Sequence, residues 1–314
     1  MISWGINALN HGSSLAVFEN DKLLVNKFDV SDELTPSTIK IALDFGQPDH
    51  IFWYENPWLK KARQFRAGQF SRCFDLAVLP KKYLANIGLR YNKLTYTQHH
   101  ASHAAAGYYT SPFDSCVVVV LDAIGEFECA TIWVAEKSKL TKVWHKNYPN
   151  SLGLFYSAFT DLIGLTPVRE EYKLQALSQY GDPSVYYNAV KKYIGNNLTL
   201  NYNLHRGIRD WPYELNDVNK QHIAAAVQEI FEQQILDVMQ LTNKFTNTKN
   251  LVYMGGCAMN SHANKKIVEP MFDKIWSLPQ PGDPSSSIGA VLYHRQHKIS
   301  PNNFDVVKHI EIKV

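Results

Sequence analysis

Apolar residues come in short bursts along the start of the chain. Residues 2–8, 14–19 and 22–28 each hold a strand-length burst. Asn10-His11-Gly12-Ser13 and Asn20-Asp21 supply the turns between them, so the pattern predicts strand–turn–strand–turn–strand. Residues 35–45 then take helical spacing, with Thr35 as N-cap, Pro36 in the first turn, and Ile39, Ile41, Ala42 and Phe45 as apolar positions. A second strand–turn–strand is predicted from Cys116–Leu121, a turn near Ile124-Gly125, and Cys129–Val134. Its first run is continuously apolar, as in a strand buried on both faces. Residues 151 to 245 read as largely helical. The clearest helix is 217–240, with Asp217 as N-cap and a stripe of Ile223, Val227, Ile230, Phe231, Ile235 and Val238. Leu251-Val252-Tyr253-Met254 is a short buried strand running into Gly255-Gly256. Ser285-Ser286-Ser287 opens a last helix over about 286–297.

With 314 residues there is room for one large or two medium domains. Apolar content of 45% and charged content of 19% are ordinary for a soluble globular protein. No apolar run approaches the ~20 residues of a membrane span. Met1-Ile2-Ser3-Trp4-Gly5 does not read as the start of a secretory signal. Cys73, Cys116, Cys129 and Cys257 are far apart, and three sit in apolar surroundings. That spacing predicts reduced thiols in a cytoplasmic protein rather than a disulfide framework or zinc ribbon. A net charge of +3 permits nucleic-acid binding without requiring it.

Candidate chemistry gathers in five patches. In His99-His100-Ala101-Ser102-His103, two histidines four apart share one helix face, close enough to share a metal. Asp122 ends the apolar strand, where open α/β sheets bind ligands. Two imidazoles and a carboxylate suit a divalent transition metal such as Fe(II). The plain alternatives are a surface or core histidine pair and an aspartate that only shapes a turn. Asn7 to Ser14 is a turn with His11 among small residues. Gly255-Gly256, followed by Asn260, would let a backbone approach a nucleotide. In Pro281 to Ala290, Asp283 precedes a helix whose free N–H groups favour an anion.

Taken alone, the opening hairpin reads first as an ordinary β-meander, although it resembles the phosphate-binding hairpin of the actin/hexokinase/Hsp70 ATPase fold. The second hairpin echoes it, as an internal duplication would. Together and in order, the patches resemble the O-carbamoyltransferases of antibiotic and nodulation-factor biosynthesis, whose ATPase-fold domain is similar to tRNA threonylcarbamoyl-adenosine synthase. The resemblance is carried by Gly5-Ile6-Asn7 with His11, Tyr54-Glu55-Asn56-Pro57, the His99–His103 run, Asp122 with Gly125-Glu126, Ser151 to Ser157, Glu171 to Leu177, and the two C-terminal patches.

The resemblance implies an α/β, duplicated two-lobe ATPase fold of ribonuclease H-like type. The lobes would span 1–112 and 113–314, the second with a helical insertion about 151–245 and a C-terminal helix. It implies that His99, His103, Asp122 and Asp283 hold a divalent metal, Fe(II) first and Mn or Mg as alternatives. It implies carbamoyl transfer with His11 as general base, His100 and Lys173 assisting, and carbamoyl phosphate as donor. ATP or carbamoyl-adenylate would lie at Asn10, Gly12, Ser13, Gly125, Glu126, Gly255, Gly256 and Asn260. Two departures stand out. Relatives carry Glu-Glu-Arg-x-x-Arg-x-Lys after the third strand, where this chain reads Asn26 to Glu33 without arginine. Relatives also continue into an adenylate-forming domain beyond the point where this sequence stops, so a separate protein is one expected source of that intermediate.

The acceptor is read from Trp58 to Arg72, which holds Lys60, Lys61, Arg63, Arg66 and Arg72 and no acid, interleaved with Trp58, Phe65 and Phe70. Such a stretch is either a solvated helix with its aromatics on the core, or a track for phosphates with rings that stack on bases. The compact form resembles phage-type relatives that modify hydroxymethylated pyrimidines, which makes 5-hydroxymethylcytosine in DNA the expected acceptor. A small sugar or antibiotic hydroxyl is the alternative, as is a nucleotide-binding subunit that needs a partner.

Overall fold

A computed structural model describes residues 1–299, and residues 300–314 of the expected second lobe lie outside the described residues. The chain opens with β1 (Ile2–Asn10), β2 (Gly12–Glu19) and β3 (Lys22–Asp29), then α1 (Pro36–Leu43), β4 (His50–Trp53), α2 (Pro57–Arg66), α3 (Phe70–Phe74), α4 (Pro80–Asn86), β5 (Lys93–Tyr96) and α5 (His99–Thr110). It continues with β6 (Ser115–Leu121), β7 (Glu128–Glu136), β8 (Lys139–Asn147), α6 (Leu152–Leu162), α7 (Glu171–Leu177), α8 (Tyr187–Lys191), α9 (Asp217–Leu241), β9 (Asn250–Met254), α10 (Ser261–Ala263), β10 (Lys274–Trp276) and α11 (Ser286–Arg295).

The strands form two five-stranded sheets, ordered β3-β2-β1-β4-β5 and β8-β7-β6-β9-β10. Each has three antiparallel strands followed by two parallel ones. The second sheet therefore repeats the first strand for strand, as the echo between the hairpins predicts. One difference between the halves is the connection between the third and fourth strands. In the first half it holds α1, and in the second it holds α6 to α9.

β6 shows why a continuously apolar run was needed. Val118 and Val120 pack into one apolar cluster with α5 and α11, while Val117, Val119 and Leu121 pack into another with α6 and α9. Alternate side chains of one strand thus serve two cores. The stripe predicted on α9 is buried throughout. Its N-cap is Asn216 rather than Asp217, because the Asn216 side chain accepts from Asn219 N–H. α1 is capped by Thr35 as predicted. However, Ile41 and Phe45 of its predicted apolar face are exposed, and Thr38 and Ala42 take the buried positions. α11 stops at Arg295, short of 297, because Gln296 turns left-handed. Sequence reading did not identify β8, an edge strand of mostly polar residues, or α4, while the helix weighed over Trp58 to Arg72 corresponds to α2 and the start of α3.

α5 and α11 lie together in the core cluster that both sheets share. They cross at Gly289, where a Cβ would lie 1.7 Å from the Ser102 carbonyl oxygen. α11 likewise meets β1 at Gly5, whose Cβ would lie 1.8 Å from the Ser287 carbonyl oxygen. Backbone on backbone leaves no flexible group to yield, so Gly289→Ala must push the helices apart. Overpacking of this kind is expected to cost about 3 kcal/mol, read as a lower urea midpoint with an unchanged slope.

Candidate metal centre

α5 begins at His99, and its N-cap residue Gln98 makes no capping hydrogen bond. Buried Glu126 performs that task across the turn. The His99 backbone N–H donates to both Glu126 carboxylate oxygens at 3.1 Å, and Asn56 N–H donates to Oε1 at 2.6 Å. Burial raises the pKa of this carboxyl above its ordinary value. A carboxylate at a helix N-terminus also meets the positive end of its dipole. These bonds fix where His99 starts, and the helical period carries His103 to the same face.

Asp122 follows the end of β6. Gly255, with φ of 90°, tucks beneath that end, where a Cβ would lie 2.2 Å from the Leu121 carbonyl oxygen. The turn this permits aims the Gly256 N–H at Asp122 Oδ1, 3.1 Å away. Ser151 donates to the Asp122 and Ala123 carbonyl oxygens at 3.2 and 2.5 Å and caps α6 by accepting from Leu154 N–H. Asp283 sits in the short turn before α11, and its carbonyl accepts from the Asn7 amide at 3.1 Å.

These supports bring one ligand atom from each of His99, His103, Asp122 and Asp283 within 4.8 Å of one another. His99 Nε2 lies 3.0 Å from Asp122 Oδ2 and 3.3 Å from Asp283 Oδ1. His103 Nε2 lies 3.6 and 3.4 Å from the same two oxygens. The two Nε2 atoms are 3.0 Å apart. Burial opposes protonation of His99, but Asp283 and Asp122 outweigh it and raise its pKa well above 6.5. His103 is raised for the same reason, chiefly through hydrogen bonds to both aspartates. In return, both carboxyls are held below their usual range despite burial. Two ring nitrogens at this separation cannot both carry a proton along the line between them. A divalent ion would satisfy both, and two imidazoles with two carboxylates fit a transition-metal ion. Ser286 Oγ lies 3.4 Å from His103 Nδ1, where it can orient that ring.

Several expected ligand contacts have other work. The Gly12 N–H donates to Asp32 Oδ1 at 3.0 Å and the Ser13 hydroxyl to the Glu33 carbonyl at 3.0 Å. Asp32 and Glu33 thus clamp the first turn. Gly125 is buried under the helix start, and a Cβ there would lie 3.1 Å from the His100 ring. Gly255, Gly256 and Glu126 shape the aspartate and the helix. Buried Asn260 exchanges both amide atoms with Gln228 at 2.9 and 3.0 Å and caps α10. Its side chain is therefore committed to the protein. His100 is buried beside Thr131, with Nδ1 3.0 Å from the hydroxyl, and burial keeps it neutral. It lies beside the cluster, its ring centroid 5.9 Å from that of His99 and 6.4 Å from that of His103. Lys173 is exposed and bonded to Glu170. His11 is exposed at the bend between β1 and β2. Asn10 lies against the buried Tyr54 phenol, whose ring centroid is 5.3 Å from that of His99. Tyr54 and Ser286 lie in quoted motifs, but no spacing signal marked them as neighbours of the histidines.

A family model described as the carbamoyltransferase N-terminus matches residues 33–292. An uncharacterized protein of Synechocystis is 32% identical over 247 residues, which is 69% of this chain and 40% of the relative. The nodulation protein NolO of Bradyrhizobium diazoefficiens is 27% identical over 206 residues, 62% of this chain and 37% of the relative. The chain spans less than half the length of these curated relatives. Among solved structures, an activator of 2-hydroxyisocaproyl-CoA dehydratase from Clostridium difficile with bound ADPNP aligns with a TM-score of 0.52 at 12% identity. It covers 94% of this chain and 96% of that one. Full-length HypF in a phosphate- and nucleotide-bound form gives 0.51 at 13% identity, covering 94% and 55%. The duplicated two-sheet architecture is the actin/hexokinase/Hsp70-like fold. Among the described residues, no helix is long and apolar enough to cross a membrane.

The electrostatics set a pH signature. In metal-free protein the raised proton affinity of His99 and His103 gives stability that is complete below their unfolded pKa of 6.5 and lost as pH rises through the higher folded values. Chelator-treated protein is therefore expected to melt lower as pH climbs above that value. Added Mn(II) is expected to recover progressively more stability, because binding expels those protons. A metal-dependent gain that does not grow with pH would exclude both histidines as ligands. In elemental analysis, His103→Ala is expected to lose bound metal while its far-ultraviolet circular dichroism stays near wild type.

Proposed function

Because the chain belongs to the carbamoyltransferase family, we propose that it moves a carbamoyl group from carbamoyl phosphate, directly or as an ATP-derived carbamoyl-adenylate, to an acceptor hydroxyl. The observation that carries this reading is the convergence of His99, His103, Asp122 and Asp283 from three separate segments of such a chain. These four would hold the divalent ion, which when bound supplies Lewis-acid stabilisation of negative charge on phosphate or carbonyl oxygen. The acceptor oxygen attacks the carbamoyl carbon. The carbon–oxygen bond to phosphate breaks, and phosphate or nucleotide leaves with the bonding pair. His11 is our choice for general base, taking the hydroxyl proton. Its support is position. It lies four residues beyond Asn7, which is bonded to Asp283, and just past a bulge in the β1–β2 pairing. Lys173 would have to leave Glu170 to meet a donor phosphate. We assign 1–112 and 113–314 to two lobes, with the cluster between their sheets.

We propose 5-hydroxymethylcytosine in DNA as the acceptor. The supporting feature is the α2–α3 face. Its aromatics do not turn to the core: Trp58 is 59% exposed, Phe65 56% and Phe70 53%. They stand among the basic residues of that stretch, where rings can stack on unpaired bases. A base in a duplex would have to be flipped or single-stranded to react.

The test is mass spectrometry of DNA containing 5-hydroxymethylcytosine after incubation with the protein, carbamoyl phosphate, ATP and Fe(II) or Mn(II). One carbamoyl group gained per modified base is expected, at a rate that falls steeply with salt. Transfer from synthetic carbamoyl-adenylate alone would mean that a separate protein makes the intermediate. Transfer only to a small sugar or antibiotic hydroxyl would overturn the DNA acceptor. No transfer to any hydroxyl would overturn the enzyme reading.

A further inference from the structure

One arginine of the basic stretch is buried without an anion. Arg63 on α2 is 6% exposed, and no ion pair involving it is found among the described residues. Its Nη1 reaches Gln69 Oε1 at 3.4 Å, its guanidinium carbon lies 5.7 Å from the Tyr148 ring centroid, and its Nε–H has no partner. Burial lowers its pKa. Glu55 is within charge range, but Lys60 occupies its Oε1 at 2.7 Å.

The same place receives a turn from the helical insertion. His205 Nε2 is 3.3 Å from Gln69 Nε2, and the buried His205 Nδ1 has no partner. Burial, then Arg63, Arg72 and Arg206, lowers the His205 pKa, so three guanidiniums lie within charge range of one ring. Arg72 and Arg206 are exposed. Arg206 also approaches the loop after α2, where a Cβ on Gly68 would lie 3.6 Å from its Nη2. The result is a basic niche with a floor of buried Arg63 and half-buried His205, and an open rim, Arg72 and Arg206. Protein interiors normally pair such charges, because desolvating an unpaired one is costly. A tetrahedral anion entering past the rim would accept from the orphaned donors and neutralise the cluster.

We propose that Arg63, Arg72, His205 and Arg206 form a binding niche for the phosphate group of a phosphorylated ligand. The niche borders the supports of the metal centre. Glu55 precedes Asn56, which donates to Glu126, and Cys129, another group in charge range of Arg63, accepts from Asp122 N–H at 3.0 Å. That the phosphate belongs to a substrate rests on the carbamoyl-transfer reading. That the niche binds phosphate does not.

The experiment is calorimetric titration of inorganic phosphate into the full chain at constant ionic strength. Saturable binding is expected, weakened at least about tenfold in Arg63→Met and in the double variant Arg72→Gln/Arg206→Gln. The double variant changes only exposed side chains, so it keeps the test valid if Arg63→Met fails to fold. The titrations use metal-free protein, so that phosphate cannot bind through an ion at the four-residue cluster, which separates this niche from the metal centre. Wild-type affinity in the double variant, or no saturable binding by wild type, would overturn the proposal. Repeating the titrations with carbamoyl phosphate and with 5-hydroxymethyldeoxycytidine monophosphate identifies the source. A loss confined to the first assigns the niche to the donor, and one confined to the second assigns it to the acceptor.

Discussion

Two imidazole nitrogens and two carboxylate oxygens crowd into a space less than 5 Å across, and the surrounding structure serves to keep them there. Left free, the carboxylates would separate and hydrate, and two ring nitrogens would not meet edge to edge at 3.0 Å. The cost of holding them is spread over elements that touch no ligand atom of their own. Glu126 anchors the start of α5. Gly256 fixes one Asp122 oxygen and leaves the other aimed inward. Asn7 holds the Asp283 backbone, and the α5–α11 crossing at Gly289 sets how close the histidines come to Asp283. Preorganisation of this kind lets a site bind an ion without first ordering its ligands.

Much of this was legible because the signals were periodic. The apolar bursts of β1 and β2, the unbroken apolar run of β6 and the stripe of α9 each mark what is buried, and those positions dictate the layers. The His99/His103 pair was legible for the same reason, since helical spacing fixes which residues share a face. β8 was not legible, because an edge strand with mostly polar residues offers no contrast between its faces. The start of α9 moved by one residue because two neighbouring side chains can both cap, and only backbone geometry chooses between them.

The glycines were read as places of close approach, and the structure shows protein neighbours at several of them. Glycines beside a site were expected to admit a nucleotide. In the structure, Gly255 admits the end of β6, Gly125 the histidine helix and Gly289 the neighbouring helix backbone. A missing side chain tells the reader that something comes close, while the identity of the neighbour depends on contacts distant in sequence. Asn260 makes the same point. An amide near a glycine pair suggests a ligand contact, yet its hydrogen bonds close a buried network with Gln228 that local sequence does not reveal.

The wide separation of the ligands along the chain bears on how the protein is made. Synthesis runs from the N-terminus, so α5 and β6 leave the ribosome long before Asp283 and α11. Until α11 docks, the cluster lacks a carboxylate and α5 lacks its close-packed partner. A nascent chain therefore carries an incomplete, three-ligand site, with the apolar face that α11 will cover still open. Completion of the cluster and closure of the core are thus coupled to the same late event, and a ribosome stalled before α11 would hold a chain that has both sheets in sequence but neither its finished site nor its finished interior.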